Sequence, residues 1–171
     1  TLQDFSPLRN DCLPDDVEVV YLGDGPVEDW LERIASNHCF LHRLAAFAAR
    51  GGRILAEGRA AVCLCREAMD RQGKSALMSG ILPATAQQIG PVDFQPATVE
   101  MERNCWLARE NTKLPGYTPG NWSITCEEPD DGRICSSRAL AWRNVLALPF
   151  AVPWGTNPAW IQGFFRSGGN R

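Results

Sequence analysis

Strands and helices alternate through the first half of this 171-residue chain, and that alternation predicts an α/β fold with a mostly parallel sheet and right-handed crossovers. Three observations carry the prediction. The run VEVVYLG (17–23) is β-branched and apolar and ends in glycine, as a strand buried on both faces does. Over 28–50, Trp30, Leu31, Ile34, Phe40, Leu41, Leu44 and Phe47 largely recur at helical spacing, and Gly51-Gly52 stops the helix. Then RILAE (53–57) reads as a second short strand and RAAVCLCREAMD (59–70) as a second helix.

After Gly73 the elements shorten. SALMSGILPATAQQ and PVDFQPATVEMERNCWL read as strands broken by prolines. TKLPGYTPGNWSITCEEPDDGRICSS is turn-rich and fits β-hairpins or a long surface loop. NVLALPFAV (144–152) is a further apolar strand. NPAWIQGFFRS reads as a closing helix, with Asn157 as N-cap and Pro158 at the first helical position. No repeat or linker interrupts the chain, so residues 1–171 read as a single domain.

Composition narrows the function. A formal net charge of -3 gives no electrostatic case for nucleic acid. The longest apolar runs fall far below the roughly twenty residues of a membrane span. His38 and His42 lie one helical turn apart with no nearby carboxylate, so no metal site is expected there. The seven cysteines are an odd set scattered through helical and strand-like segments, which suggests reduced thiols and a cytoplasmic location. Cys63 and Cys65 point to different faces of a helix and read as small buried side chains. Cys126 and Cys135 flank a turn and could meet across a hairpin.

The segment GGRILAEGRAA places a sharp strand-to-helix turn at Gly58. Such elbows often hold a nucleophile up into a cleft, yet this tip has no side chain. Together with FSPLRNDCLP, YLGDGPVEDW, ALMSGILP and NVLALPFAVPWGTNPAWIQGFF, taken in this order, the segment resembles the C-terminal glutaminase domain of cobyrinic acid a,c-diamide synthases. These are triad (class I) glutamine amidotransferases, which free ammonia from glutamine and amidate carboxylates of a corrin or related tetrapyrrole. The resemblance covers most of the chain. It implies a three-layer, flavodoxin-like fold with an added β-hairpin region, lacking the family's first strand and helix.

The chemistry of that family needs a lowered-pKa thiolate at the elbow, a histidine to take and return a proton, and backbone N–H groups for the oxyanion. The resemblance sets Gly58 on the cysteine position, Arg59 on a following glycine, and Ala151 and Pro153 on the two histidine positions. Asp24 falls on the middle glycine of the loop, while Gly23, Gly25 and Glu28 are kept. These departures imply a catalytically degenerate domain: no enzyme, no cofactor, but a structural or regulatory subunit that binds a protein partner, a live synthase or a larger enzyme complex. LPGYTPGNW is the candidate contact loop, displaying Tyr117 and Trp122. A second reading reuses the cleft around Gly58, Arg59, Asp24 and Glu57 for a carboxylate-bearing small molecule such as a tetrapyrrole. There Arg59 would clamp the carboxylate, or else pair with Glu57 or Asp24. A third keeps an enzyme of altered chemistry based on Cys63 or Cys65.

Overall fold

The structure is a computed structural model, and it describes residues 1–126, 134–136, 139–156 and 158–165. In chain order the elements are β1 (Val19–Leu22), α1 (Val27–Ser36), α2 (His38–Ala49), β2 (Arg53–Glu57) and a 3-10 helix (Gly58–Leu64). These are followed by β3 (Glu67–Met69), β4 (Ser75–Leu77), β5 (Ala84–Gln88), β6 (Gln95–Glu100), β7 (Lys113–Thr118) and β8 (Trp122–Cys126). Last come β9 (Ile134–Ser136), β10 (Ala139–Trp142), β11 (Val145–Leu148) and α3 (Pro158–Phe165).

The central sheet runs β1-β2-β11-β10-β9. β1 and β11 lie parallel on either side of β2, with Leu22 opposite Ala56 and Leu148 opposite Glu57. β10 and β9 extend it antiparallel. The α/β class holds, but only the three-strand heart of the sheet is parallel. Successive side chains point to opposite faces. Ile54, Ala56, Val145 and Ala147 therefore join one core with α1 and α2, while Leu55, Leu146 and Leu148 join a second with Leu114 and Phe150. Burial on both faces explains why these strands carry no polar alternation.

Two expectations about helices are corrected. The single helix over 28–50 is two, divided at Asn37, which leaves helical geometry (φ −81°, ψ 71°). Its side-chain oxygen accepts from Phe40 N at 3.0 Å and so starts α2 as an N-cap, while its amide donates to the carbonyls of Pro7 and Asp11, each at 3.0 Å. A residue that competes this way for backbone groups favours a helix start over a helix interior. The helix expected over 59–70 is a short 3-10 turn running into β3. Its carbonyls are taken from outside the turn: Ser79 N, Leu82 N and Gly80 N donate to Cys63 O, Leu64 O and Cys65 O at 3.2, 2.8 and 2.8 Å. With all but Arg59 of its residues buried, it has no solvent face of the kind an amphipathic helix needs.

The turn-rich region does form ribbons, although β7 and β8 do not pair with each other. β7 pairs with β6, and β8 closes the second sheet, β4-β3-β5-β8. The β6–β7 ribbon joins the central strand region by one bridge, Tyr117 N to Ala151 O at 2.9 Å and Ala151 N to Tyr117 O at 2.7 Å. A Cβ at Gly116 would overlap the Ala151 carbonyl, so this approach requires glycine. The strand expected over 144–152 stops at Leu148, because Pro149 has no N–H to continue the ladder. α3 begins at Pro158 as expected; Asn157 and the SGGNR tail lie outside the described residues.

The expectation of reduced thiols is corrected at Cys12 and Cys39, which form a disulfide with Cα atoms 5.5 Å apart. Cys126 is also disulfide-bonded, and the side chain of Cys135 lies outside the described residues.

Leu55 is fully buried between the two parallel neighbours of β2. Leu55→Ala is expected to lower stability by about 3 kcal/mol, read as a drop in the denaturant midpoint at unchanged slope; a shift equivalent to less than about 1 kcal/mol would contradict this placement of the core.

Candidate functional site

β2 delivers Glu57 and then Gly58 to the C-terminal edge of the parallel strands, where open α/β sheets bind their ligands. Gly58 sits at φ +59°, in the left-handed region. A Cβ there would fall on the Asp24 carboxylate, so the turn excludes a side chain on grounds of both backbone and space. The Gly58 N–H donates to Phe150 O at 3.2 Å.

Asp24 turns toward the start of the 3-10 helix. Its Oδ1 accepts from Arg59 N at 2.8 Å and Arg59 Nε at 3.0 Å, and its Oδ2 from Arg59 Nη2 at 2.8 Å. Arg59 Nη1 reaches Glu28 Oε1 at 2.9 Å, and Trp122 Nε1 donates to Glu28 Oε2 at 3.4 Å. The three charged side chains are only 12%, 19% and 13% exposed for Arg59, Asp24 and Glu28. The hydrogen bonds it donates to Asp24 hold the Arg59 guanidinium above its usual range, against the opposing effect of burial. Arg59 thus pairs with Asp24, one of the two partners its position suggested, and with Glu28 in place of Glu57. Its guanidinium also lies 5.9 Å from the ring centre of Phe94, which is half exposed. Beyond Glu28 opens a surface cleft of about 460 Å³ lined by Glu28, Asp29, Asp70, Arg71, Gln72 and Gln88.

Glu57 is separate from that cluster. It is 3% exposed and accepts from Trp154 Nε1 at 2.8 Å, from the Tyr21 hydroxyl and from Val152 N. Burial first, and then the Glu57 carboxylate, raise the Tyr21 pKa well above the usual phenol range. Phe164 covers this network, its ring 6.1 Å from Tyr21, 5.6 Å from Trp154 and 5.6 Å from Trp106, all edge-on. Val152 lies between Ala151, in the bridge to Tyr117, and Pro153, whose carbonyl accepts from Thr156 N and Oγ1. Neither Ala151 nor Pro153 brings an ionisable group to the edge of the sheet.

The structure thus gathers Asp24, Arg59 and Trp122 with Glu28, and sets Glu57 beside them in a different network. Tyr117 is 52% exposed on the ribbon, while Trp122 is tied inward by its indole. The thiols of Cys63 and Cys65 are buried in the core, where desolvation pushes both up to about 12. His38 and His42 lie exposed on α2. Among the described residues no group of histidine, cysteine and carboxylate side chains could hold a metal ion, and no helix is long and apolar enough to cross a membrane. Sequence reasoning missed the partners of Glu57 and the fully buried Asn121, whose side-chain atoms have no hydrogen-bond partner in the structure.

Against known proteins, no family model matches the chain. The cobyrinate a,c-diamide synthase of Dehalococcoides mccartyi strain CBDB1 is 27% identical over 181 aligned positions, covering 95% of this chain. That of strain ATCC BAA-2266 / KCTC 15142 / 195 is 26% identical with the same coverage. The chain is thus similar to cobyrinate a,c-diamide synthases over nearly its whole length. The synthase of Syntrophotalea carbinolica is 32% identical over 89 positions, 52% of the chain. The chain spans 38% of the length of the two Dehalococcoides proteins. Among solved structures, a glutamine amidotransferase superposes with a TM-score of 0.58 at 15% identity, covering 86% of this chain and 76% of that one. A putative GMP synthase component from Thermoplasma acidophilum gives 0.51 at 14% identity, covering 88% and 72%. These two share the fold, which is therefore amidotransferase-like. The names of the relatives overturn the expectation that the chain is no enzyme: they are synthases.

The raised cysteine pKa values carry a pH signature. In the unfolded chain thiols ionise near 9, the ordinary value, whereas Cys63 and Cys65 stay neutral in the fold up to about 12. Their contribution to stability is therefore complete below pH 9 and is lost as pH rises toward 12. Denaturation midpoints are expected to fall over that window, and a Cys63→Ala/Cys65→Ala variant to show a shallower fall; identical slopes would contradict the burial.

Proposed function

We propose that this chain is the amidotransferase-like domain of a cytoplasmic amidating enzyme of the cobyrinate a,c-diamide synthase kind, and that its part in that enzyme is to bind and regulate a protein partner. The observation that carries the reading is the closed state of the turn at Gly58. Asp24 takes the space of a side chain there, and Arg59 is matched by two carboxylates. Such a site is built as a fixed joint between the loop after β1, the first turn of α1 and the end of β2.

Next to the joint, the β6–β7 ribbon presents a surface suited to contact. Pro96 and Tyr117 lie opposite each other on its outer face, Phe94 immediately precedes β6, and all three are exposed. Aromatic residues at this exposure are enriched where proteins meet. The partner is the live synthase, or larger enzyme complex, that the family resemblance implies. A second reading takes the same ribbon and the Arg59–Phe94 stack as one wall of a site for a carboxylate-bearing tetrapyrrole. In that case the ligand carboxylate displaces Asp24 or Glu28 from Arg59, which weakens this reading relative to the first.

The test is binding of the chain to the purified synthase by titration calorimetry. Phe94→Ala and Tyr117→Ala are expected each to weaken binding tenfold or more while leaving the folded state intact by circular dichroism. Unchanged affinity in both variants would overturn the docking surface. A thermal shift with a tetrapyrrole carboxylate that vanishes in Arg59→Ala would favour the second reading.

A further inference from the structure

The first sixteen residues carry little regular structure, only the 3-10 turn Pro7–Arg9, yet they are held tightly. Four ties fasten this strap to the junction of α1 and α2. The Cys12–Cys39 disulfide joins it covalently to the first turn of α2. The Asn37 amide holds the carbonyls of Pro7 and Asp11. Arg43 Nη1 donates to Leu13 O at 3.1 Å and pairs with Asp15. Leu13 is 3% exposed, and Phe5 packs 5.9 Å from Phe40 between ring centres, over a residue that is itself fully buried.

Among these ties the disulfide differs in kind, because its chemistry is reversible and one end is accessible. Cys39 is exposed on α2 and Cys12 is half-buried, whereas Cys63 and Cys65 are enclosed in the core. An exposed disulfide is the sort a thiolate can attack. In a reducing compartment such bonds are transient and redox-sensing as a rule. The remaining ties are individually modest: Arg43–Asp15 is a surface pair, and the Asn37 bonds are two neutral hydrogen bonds.

We propose that Cys12–Cys39 is a redox latch on the N-terminal strap, closed by oxidation and opened by a dithiol reductant. In the opening step a thiolate of the reductant attacks Cys39 Sγ and forms a mixed disulfide, and Cys12 leaves as a thiolate that takes up a proton. The second thiol of the reductant then resolves the mixed disulfide and Cys39 leaves in turn. Two electrons and two protons pass to the protein, and the reductant is left as a cyclic disulfide. With the latch open, residues 5–16 swing away, Phe40 loses its cover from Phe5, and Asn37 keeps only its cap on Phe40 N. The strap leads directly into β1, and α1 carries Glu28 in its first turn. The open latch therefore loosens the side of the fold that holds the Arg59 cluster, while β2 and β11 stay paired.

Hydrogen exchange by mass spectrometry on the full chain, oxidised and after treatment with dithiothreitol, tests the latch. Peptide mapping with an alkylating reagent verifies that Cys12 and Cys39 have opened. Amides of residues 5–16 are expected to exchange at least tenfold faster after reduction, and those of β2 and β11 to change far less. A Cys12→Ser/Cys39→Ser variant, in which the Cys126 bond is intact, should reproduce that pattern without reductant. If this variant does not fold, reduction of the wild-type chain decides alone. Equal strap exchange in the two states would overturn the proposal. So would uniform acceleration through β2 and β11, which would make the disulfide a staple of the whole domain.

Discussion

The Asp24 carboxylate occupies the space that a side chain at residue 58 would fill, and much of the molecule is arranged around that contact. Because position 58 is glycine at φ +59°, the chain can leave β2 and enter the 3-10 helix in one step. Because Asp24 lies against it, the loop after β1 is drawn onto the start of that helix, and Arg59 is fixed by its own N–H as well as its guanidinium. Glu28 then brings α1, and through Trp122 the second sheet, to the same point. Three segments far apart in sequence, residues 24–28, the turn at 58–59 and Trp122, thus meet in one cluster. Breaking a largely buried cluster of this kind leaves an uncompensated charge, at a cost of roughly 3–5 kcal/mol.

Glu57 makes the complementary joint on the other side of β2. It takes three neutral donors from β1 and the segment after β11, under the cover of α3. One carboxylate of the strand end thus ties the sheet to its C-terminal covering, and the cluster beside it ties the sheet to its helices. Two residues of one turn, Glu57 and Arg59, divide these roles with Gly58 between them. Such a turn is rigid, and rigidity is what a docking domain requires of the surface it presents. In the function proposed above, that surface lies within a larger enzyme, where a firm joint would transmit contact between parts.

The sequence made some of this legible and hid the rest for physical reasons. The strand around Ile54 was readable because burial on both faces leaves an uninterrupted apolar run, whereas β1, expected to be buried on both faces, lies at the sheet edge with Tyr21 46% exposed. The glycine at the elbow, and the resemblance it completed, pointed to the correct turn. The helix after Gly58 was misread because small apolar residues suit a buried helix equally well, and only the carbonyl partners at 79–82 decide the matter. The break at Asn37 was a local signal that could have been found, since asparagine is a frequent N-cap and a poor interior residue. The Arg59–Glu28 pair and the Cys12–Cys39 bond depend on long-range approach, about which spacing says nothing. Cysteine parity suggested free thiols, yet parity carries no information on which pairs come within bonding distance.

The central claim, that Gly58 and Asp24 form one closed joint, is tested most directly by a double-mutant cycle on folding stability between Gly58→Ala and Asp24→Gly. If Asp24 fills the space of a side chain, Gly58→Ala in the native background bears both the left-handed strain and the overlap with the carboxylate. In the Asp24→Gly background only the strain is left, about 1–2 kcal/mol. The account expects the Gly58→Ala penalty to shrink by more than about 1 kcal/mol once Asp24 is removed, a coupling of the size seen between residues in contact. An equal penalty in both backgrounds would contradict it.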